Sequence, residues 1–160
     1  MRAARATFAT NERGAALAES AIALPLLLVI FATIFAFGAT LFNTQVLETA
    51  ARDAARYLAH TATTSTNEST ARNIAVYANA AGTGSARVRG LTTGNVAISY
   101  VTVSNPINSS TGERAYRGQD PLRMVRVNIS WTAPSSNLWN LFGATPITYH
   151  AVNQQRVIGD

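Results

Sequence analysis

The residues best placed to do chemistry lie near the amino terminus, in Arg13-Gly14-Ala15-Ala16-Leu17-Ala18-Glu19. A basic leader ends at a glycine, small or apolar residues follow, and one acid stands at the edge of a long apolar run. A carboxylate there loses hydration and needs a compensating group. Cleavage after Gly14 would supply one. It would create an ammonium group at Ala15, one helical turn before Glu19. That cation could pair with the carboxylate on its own helix or on a neighbouring subunit. Pairing between subunits would turn an isolated acid into a device that sets helix register. The other reading is that Glu19 simply begins a helix, where the macrodipole favours an acid. Residue types and spacing leave both readings open.

The element that must position these residues is the apolar run itself. No charge occurs from Ala21 to Phe42, and the charge-free stretch extends from Ser20 to Leu47. As a helix, Ala21 to Phe42 is about 33 Å long, enough for a hydrocarbon core of about 30 Å. A domain this small could not bury a helix that is apolar on every face. Arg2, Arg5 and Arg13 precede the run and Glu48 is the first charge after it. That asymmetry keeps the amino terminus in the cytoplasm and exports the remainder. A cleaved secretory signal competes. Against it stand the length of the run, the acid Glu19, and Phe37 two positions before the best small-residue site at Ala39. Pro25 lies inside the run, removes the bond to the Ala21 carbonyl, and is expected to kink the helix.

Gly14-Ala-Ala-Leu-Ala-Glu19, followed by ALPLLLVIFATIFAFG, resembles the Gly-xxxx-Glu processing site of type IV-like prepilins. More specifically, the first 60 or so residues resemble the TadE-like minor pseudopilins of the Flp (Tad) pilus system. The matching features, in order, are Arg13-Gly14, Glu19, Leu24-Pro25 and the Ala/Arg-rich stretch Ala50–Leu58. The sequence departs at Ser20, where the family usually carries Phe or Tyr. The resemblance implies that Gly14 and Ala15 flank a bond cut by a prepilin peptidase. Glu19 would then be the fifth residue of the mature chain and act in assembly. It also implies other pilins or pseudopilins and inner-membrane pilus assembly proteins as partners. The expected organisation is a leader at 1–14, a transmembrane segment at 15–42 and an exported domain at 43–160.

Beyond the membrane run, Asn43 to His60 is expected to continue as helix, with Leu47, Ala50, Ala51, Ala54 and Leu58 on one face. Glu48 and Arg52 have the spacing of an i,i+4 pair. Thr61–Asn67 reads as a loop. Glu68–Ala81 reads as a second helix, with Ile74, Tyr77, Ala78 and Ala81 on one side and Gly82-Thr-Gly84 as its stop. Asn95–Ser104 is rich in β-branched residues. Arg123–Trp131 alternates cleanly, with Val125, Val127, Ile129 and Trp131 on one face. Between them, Asn105–Pro121 is a long loop carrying Glu113, Arg114, Tyr116, Arg117 and Asp120, either a contact surface or a disordered tip. Within Ala133–Gly143, Leu138, Trp139, Leu141 and Phe142 either cover the sheet or form a docking patch. Ile147–Val157 reads as a closing strand. The expected fold is α+β: a long N-terminal transmembrane helix continuing into a small domain with a second helix and an antiparallel sheet.

The 160 residues include 13 basic groups, all Arg, and carry a net charge of +5. The arginines are scattered and not interleaved with aromatics, which argues against nucleic acid. With no cysteine, disulfides and thiolate metal sites are excluded. His60 and His150 lack ligand-spaced partners. No phosphate loop, GxSxG, HExxH or paired carboxylates appear, so no catalytic activity and no cofactor are expected. The leading reading is a structural protein of the bacterial inner membrane, single-pass, with its C-terminal domain periplasmic. The alternative is an uncleaved single-pass anchor presenting a periplasmic binding module. A third reading is a secreted protein released near Ala39.

Overall fold

A computed structural model of the chain describes residues 12–133, 143 and 147–158. Helix α1 runs from Glu12 to Ala59, 48 residues, and so is about 72 Å long. Its first two thirds touch little else. Leu24, Leu28, Phe31, Ile34, Phe35 and Phe42 are all exposed. Only 6% of its most apolar stretch is buried, so this is not the core helix of a soluble domain. It is long and apolar enough to cross a membrane. The helical run passes through Pro25 without interruption. Hydroxyls that would be unpaired in lipid bond back to the preceding turn: Ser20 Oγ donates to the Ala16 carbonyl and Thr33 Oγ1 to that of Val29, each at 2.8 Å.

The last third of α1 changes character, because small residues replace large ones on one face. Leu47, Ala50, Ala51, Ala54 and Leu58 are buried as the spacing predicts, and Ala55 and Ala59 join them. The alanines let other backbones approach closely. Helix α2 (Ser65–Tyr77) packs on this segment through Ala71, Ala75 and Val76. The sheet contains β1 (Val96–Val103), β2 (Leu122–Thr132) and β3 (Thr148–Arg156), antiparallel in the order β1-β2-β3. Val125, Val127, Ile129 and Trp131 of β2 turn into the core between the sheet and α1. Burial of side chains this large contributes about 1.5–3 kcal/mol each. The architecture is α+β, with one long helix serving both as apolar stalk and as core element.

Several local expectations change. Helix α2 begins before Glu68, because Thr64 caps it: its hydroxyl accepts from the Asn67 amide at 3.2 Å. Residues 65–67, read as loop, are therefore helical. The helix ends at Tyr77 rather than Ala81, since Ala78 adopts a left-handed conformation at φ 61°. Asn73 and Asn79 stabilise that early end. The Asn73 amide donates to the Ala80 carbonyl, and the Asn79 amide donates to those of Tyr77 and Thr83. Gly82 and Gly84 thus lie beyond the stop, and the buried face is Ala71, Ala75 and Val76 rather than the Ile74–Ala81 side. Glu48 and Arg52 form no ion pair. Both are exposed, where water solvates each as well as the partner would. Leu138, Trp139, Leu141 and Phe142 fall outside the described residues.

Candidate functional site

Gly14 and Ala15 lie in the opening turn of α1, and Glu19 lies one turn further on. Ala15 and Glu19 are i,i+4, which puts them on the same helical face. Glu19 is exposed, and among the described residues no cation pairs with it. The same stretch exposes Leu17 and Ile22, so the acid stands within an apolar surface. Such a carboxylate, about 7.5 Å along the axis from Gly14, is accessible to a cation from outside the chain. His60 and His150 are separately placed on the surface. Among the described residues no cluster of His, Asp and Glu could hold a metal ion.

The domain at the other end of α1 is fastened to it at two levels. Arg87, in the loop after α2, places Nη2 2.7 Å from Asp53 Oδ2 of α1. The Ile158 amide, past β3, donates to the Ala59 carbonyl at 2.8 Å. Neither contact was visible in the sequence, because the partners lie far apart along the chain and no motif marks them.

The 105–121 loop is ordered around one residue. Asn105 is 1% exposed, and its polar groups are all used. Its amide donates to Asp120 Oδ1 at 2.7 Å, and its side chain bonds both the amide and the carbonyl of Tyr116. Arg114 donates to its carbonyl and stands 3.9 Å from Asp120. Arg114 and Asp120 are therefore internal ties of the loop. Glu113, Tyr116 and Arg117 remain as its outward surface. The loop returns over the outer face of the sheet, where Tyr116 joins Val103, Leu122, Met124 and Arg156 around an open, largely apolar cleft. A side chain at Gly118, where φ is 123°, would collide with the Arg156 guanidinium, so glycine allows this return. Asn105 sits in a polar, Pro-flanked stretch, and nothing in its neighbours announced its role.

An exposed apolar helix joined without a break to a small α+β domain is consistent with a single-pass membrane anchor. The TadE-like protein family matches residues 14–56, from the candidate cleavage site through the apolar stretch to the Ala-rich face. This N-terminal segment is TadE-like, and the family is a structural one associated with the Tad pilus. Neither the curated proteins nor the solved structures contain a significant match to this chain.

Proposed function

We propose that the chain is a minor pseudopilin-like assembly protein of a Tad (Flp) pilus. In this reading it is held in the bacterial inner membrane by residues 15–42, with its amino terminus cytoplasmic and residues 43–160 periplasmic. Residues 1–14 are a leader removed by a prepilin peptidase between Gly14 and Ala15. The new ammonium group at Ala15 and the Glu19 carboxylate then set the register of α1 against neighbouring pilin helices. Pro25 bends the helix within the span. The observation that carries this reading is the TadE-like match, which starts at Gly14 and runs through Glu19 and the whole apolar stretch. The exposed state of Glu19 on an apolar helix supports it further, since an acid in that position needs a partner from outside the chain.

The test is the amino-terminal residue and intact mass of protein extracted from native membranes. A start at Ala15 is expected. A start at Met1 would replace this reading with an uncleaved anchor presenting a periplasmic binding module. The Glu19→Ala variant is expected to insert normally and fail to support piliation. Normal piliation in that variant would remove the role assigned to Glu19.

A further inference from the structure

Where the 105–121 loop returns to the sheet, it leaves two hollows that share Leu122 and Arg156. One is the largely apolar cleft beside Tyr116 and Met124, about 280 Å³ in volume. The other is about 300 Å³ and reaches from Gly118 to Ile158, with Arg123 in its lining. Pockets for drug-sized ligands run from about 300 to 1,000 Å³, so each hollow accepts a single side chain rather than a whole cofactor.

The residue between them carries a charge with no counterpart. Arg156 is half-buried, and its guanidinium packs against Gly118. Among the described residues it makes no hydrogen bond or ion pair, and no acid lines either hollow. Asp120 lies in the same return arm but is already engaged, accepting from the Asn105 amide and standing 3.9 Å from Arg114. Arg123 adds a second positive charge, held with its guanidinium carbon 5.2 Å from the centroid of the Tyr100 ring. A guanidinium presents five donors in a planar fork, and shielding it from water without an acceptor is unfavourable. A carboxylate matches that fork with two parallel bonds.

We propose that the two hollows form a docking site for an extended segment of a partner protein. A carboxylate of that segment pairs with Arg156, and an apolar side chain enters the cleft beside Met124. In an extended chain, side chains two positions apart lie on one face about 7 Å apart, so the segment has an acid and an apolar residue at i and i+2. An anionic lipid offers the same pair of groups, but the site is far from the apolar stretch. Ile158, in its lining, bonds to Ala59, and about 26 Å of helix separate Ala59 from Phe42. The inference concerns the α+β domain alone and does not depend on cleavage at Gly14.

Methyl NMR tests it, because the chain has two methionines and Met124 lines the apolar cleft. The full chain, carrying ¹³C-methyl methionine, is placed in lipid nanodiscs and titrated with acetyl-Glu-Ser-Leu-amide. One ion pair and one buried side chain give a Kd on the order of 1 mM, within reach of a titration to about 10 mM. The Met124 methyl signal is expected to shift saturably, and less at high salt. Acetyl-Gln-Ser-Leu-amide is expected to bind about tenfold more weakly, as is the acidic peptide to Arg156→Gln. The comparison of the two peptides uses the unaltered chain, so it holds whether or not the variant folds. No shift of the Met124 signal, or equal binding of both peptides to the unaltered chain, would overturn the proposal. An equal response to inorganic phosphate would reduce the site to a bare anion contact and also overturn it. Tighter binding of dihexanoylphosphatidylglycerol would assign the site to lipid instead.

Discussion

Arg87 Nη2 lies 2.7 Å from Asp53 Oδ2, and this ion pair ties the loop after α2 to the helix that emerges from the apolar stretch. The arginine is the more enclosed partner, with 17% of its side chain exposed against 42% for the aspartate. Asp53→Asn keeps the shape and removes the charge, leaving a guanidinium enclosed with its Nε already unpaired. The expected loss is about 1 kcal/mol, smaller at high salt because Asp53 is substantially solvated. For a domain of this size that is a fall of about 4–8 °C in the unfolding midpoint, measurable by circular dichroism in detergent. An unchanged midpoint at low salt would show that the pair does not hold the loop.

Asn105→Ala should open the 105–121 loop while leaving the core intact. The substitution strands the amide and carbonyl of Tyr116, groups that Asn105 alone satisfies by side-chain bonds. An unpaired polar group costs about 1–3 kcal/mol where it stays buried, and this loop escapes by opening to water. Trypsin reads the change directly, because Arg114 and Arg117 both lie inside the loop. Faster cleavage at those sites is expected, with the rest of the domain resistant. Wild-type cleavage rates would contradict the ordering role of Asn105.

Ala78→Gly should stabilise the protein. Ala78 sits at φ 61°, where a Cβ crowds the following carbonyl at a cost of about 1 kcal/mol. The residue is exposed, so removing the methyl group sacrifices no packing. Part of the gain is offset by the greater freedom of glycine in the unfolded chain. The expected net is about 0.5 kcal/mol, seen as a higher denaturation midpoint with unchanged slope. A lower midpoint would mean that this turn is not strained.

Ala54→Leu probes the close approach that the alanine face permits. Ala54 is fully buried where α1 meets the rest of the core. A larger side chain forces the neighbouring elements apart and costs about 1–3 kcal/mol. The matched control is Ala→Leu at Ala39, on the exposed apolar face, where no loss in domain stability is expected. Equal effects at the two sites would show that Ala54 is not confined.

The elements legible in the sequence are those whose signal repeats locally. A charge-free run longer than a bilayer core admits one physical solution, a helix with every backbone group bonded within itself. The 3–4 spacing of Leu47, Ala50, Ala51, Ala54 and Leu58 marks the buried face, because that face recurs once per turn. Alternation from Val125 to Trp131 identifies β2 and its inward side for the same reason. The TadE-like resemblance is likewise local, and the family match at residues 14–56 bears it out.

Other features depend on residues that meet only after the chain has folded. The start of α2 at Ser65 turns on the hydroxyl of Thr64, one of several equivalent threonines in a polar stretch. Its end turns on Asn73 and Asn79, which catch the carbonyls released by a left-handed alanine. Asp53 and Arg87, or Asn105 and Tyr116, look like ordinary polar residues until the backbone brings them together. The sequence by itself determined the apolar helix and the strand alternation, since each is written in a short period. Tertiary structure alone decided how the sheet packs against α1 and how the long loop closes. Those depend on pairings between distant residues, and no local pattern encodes such a pairing.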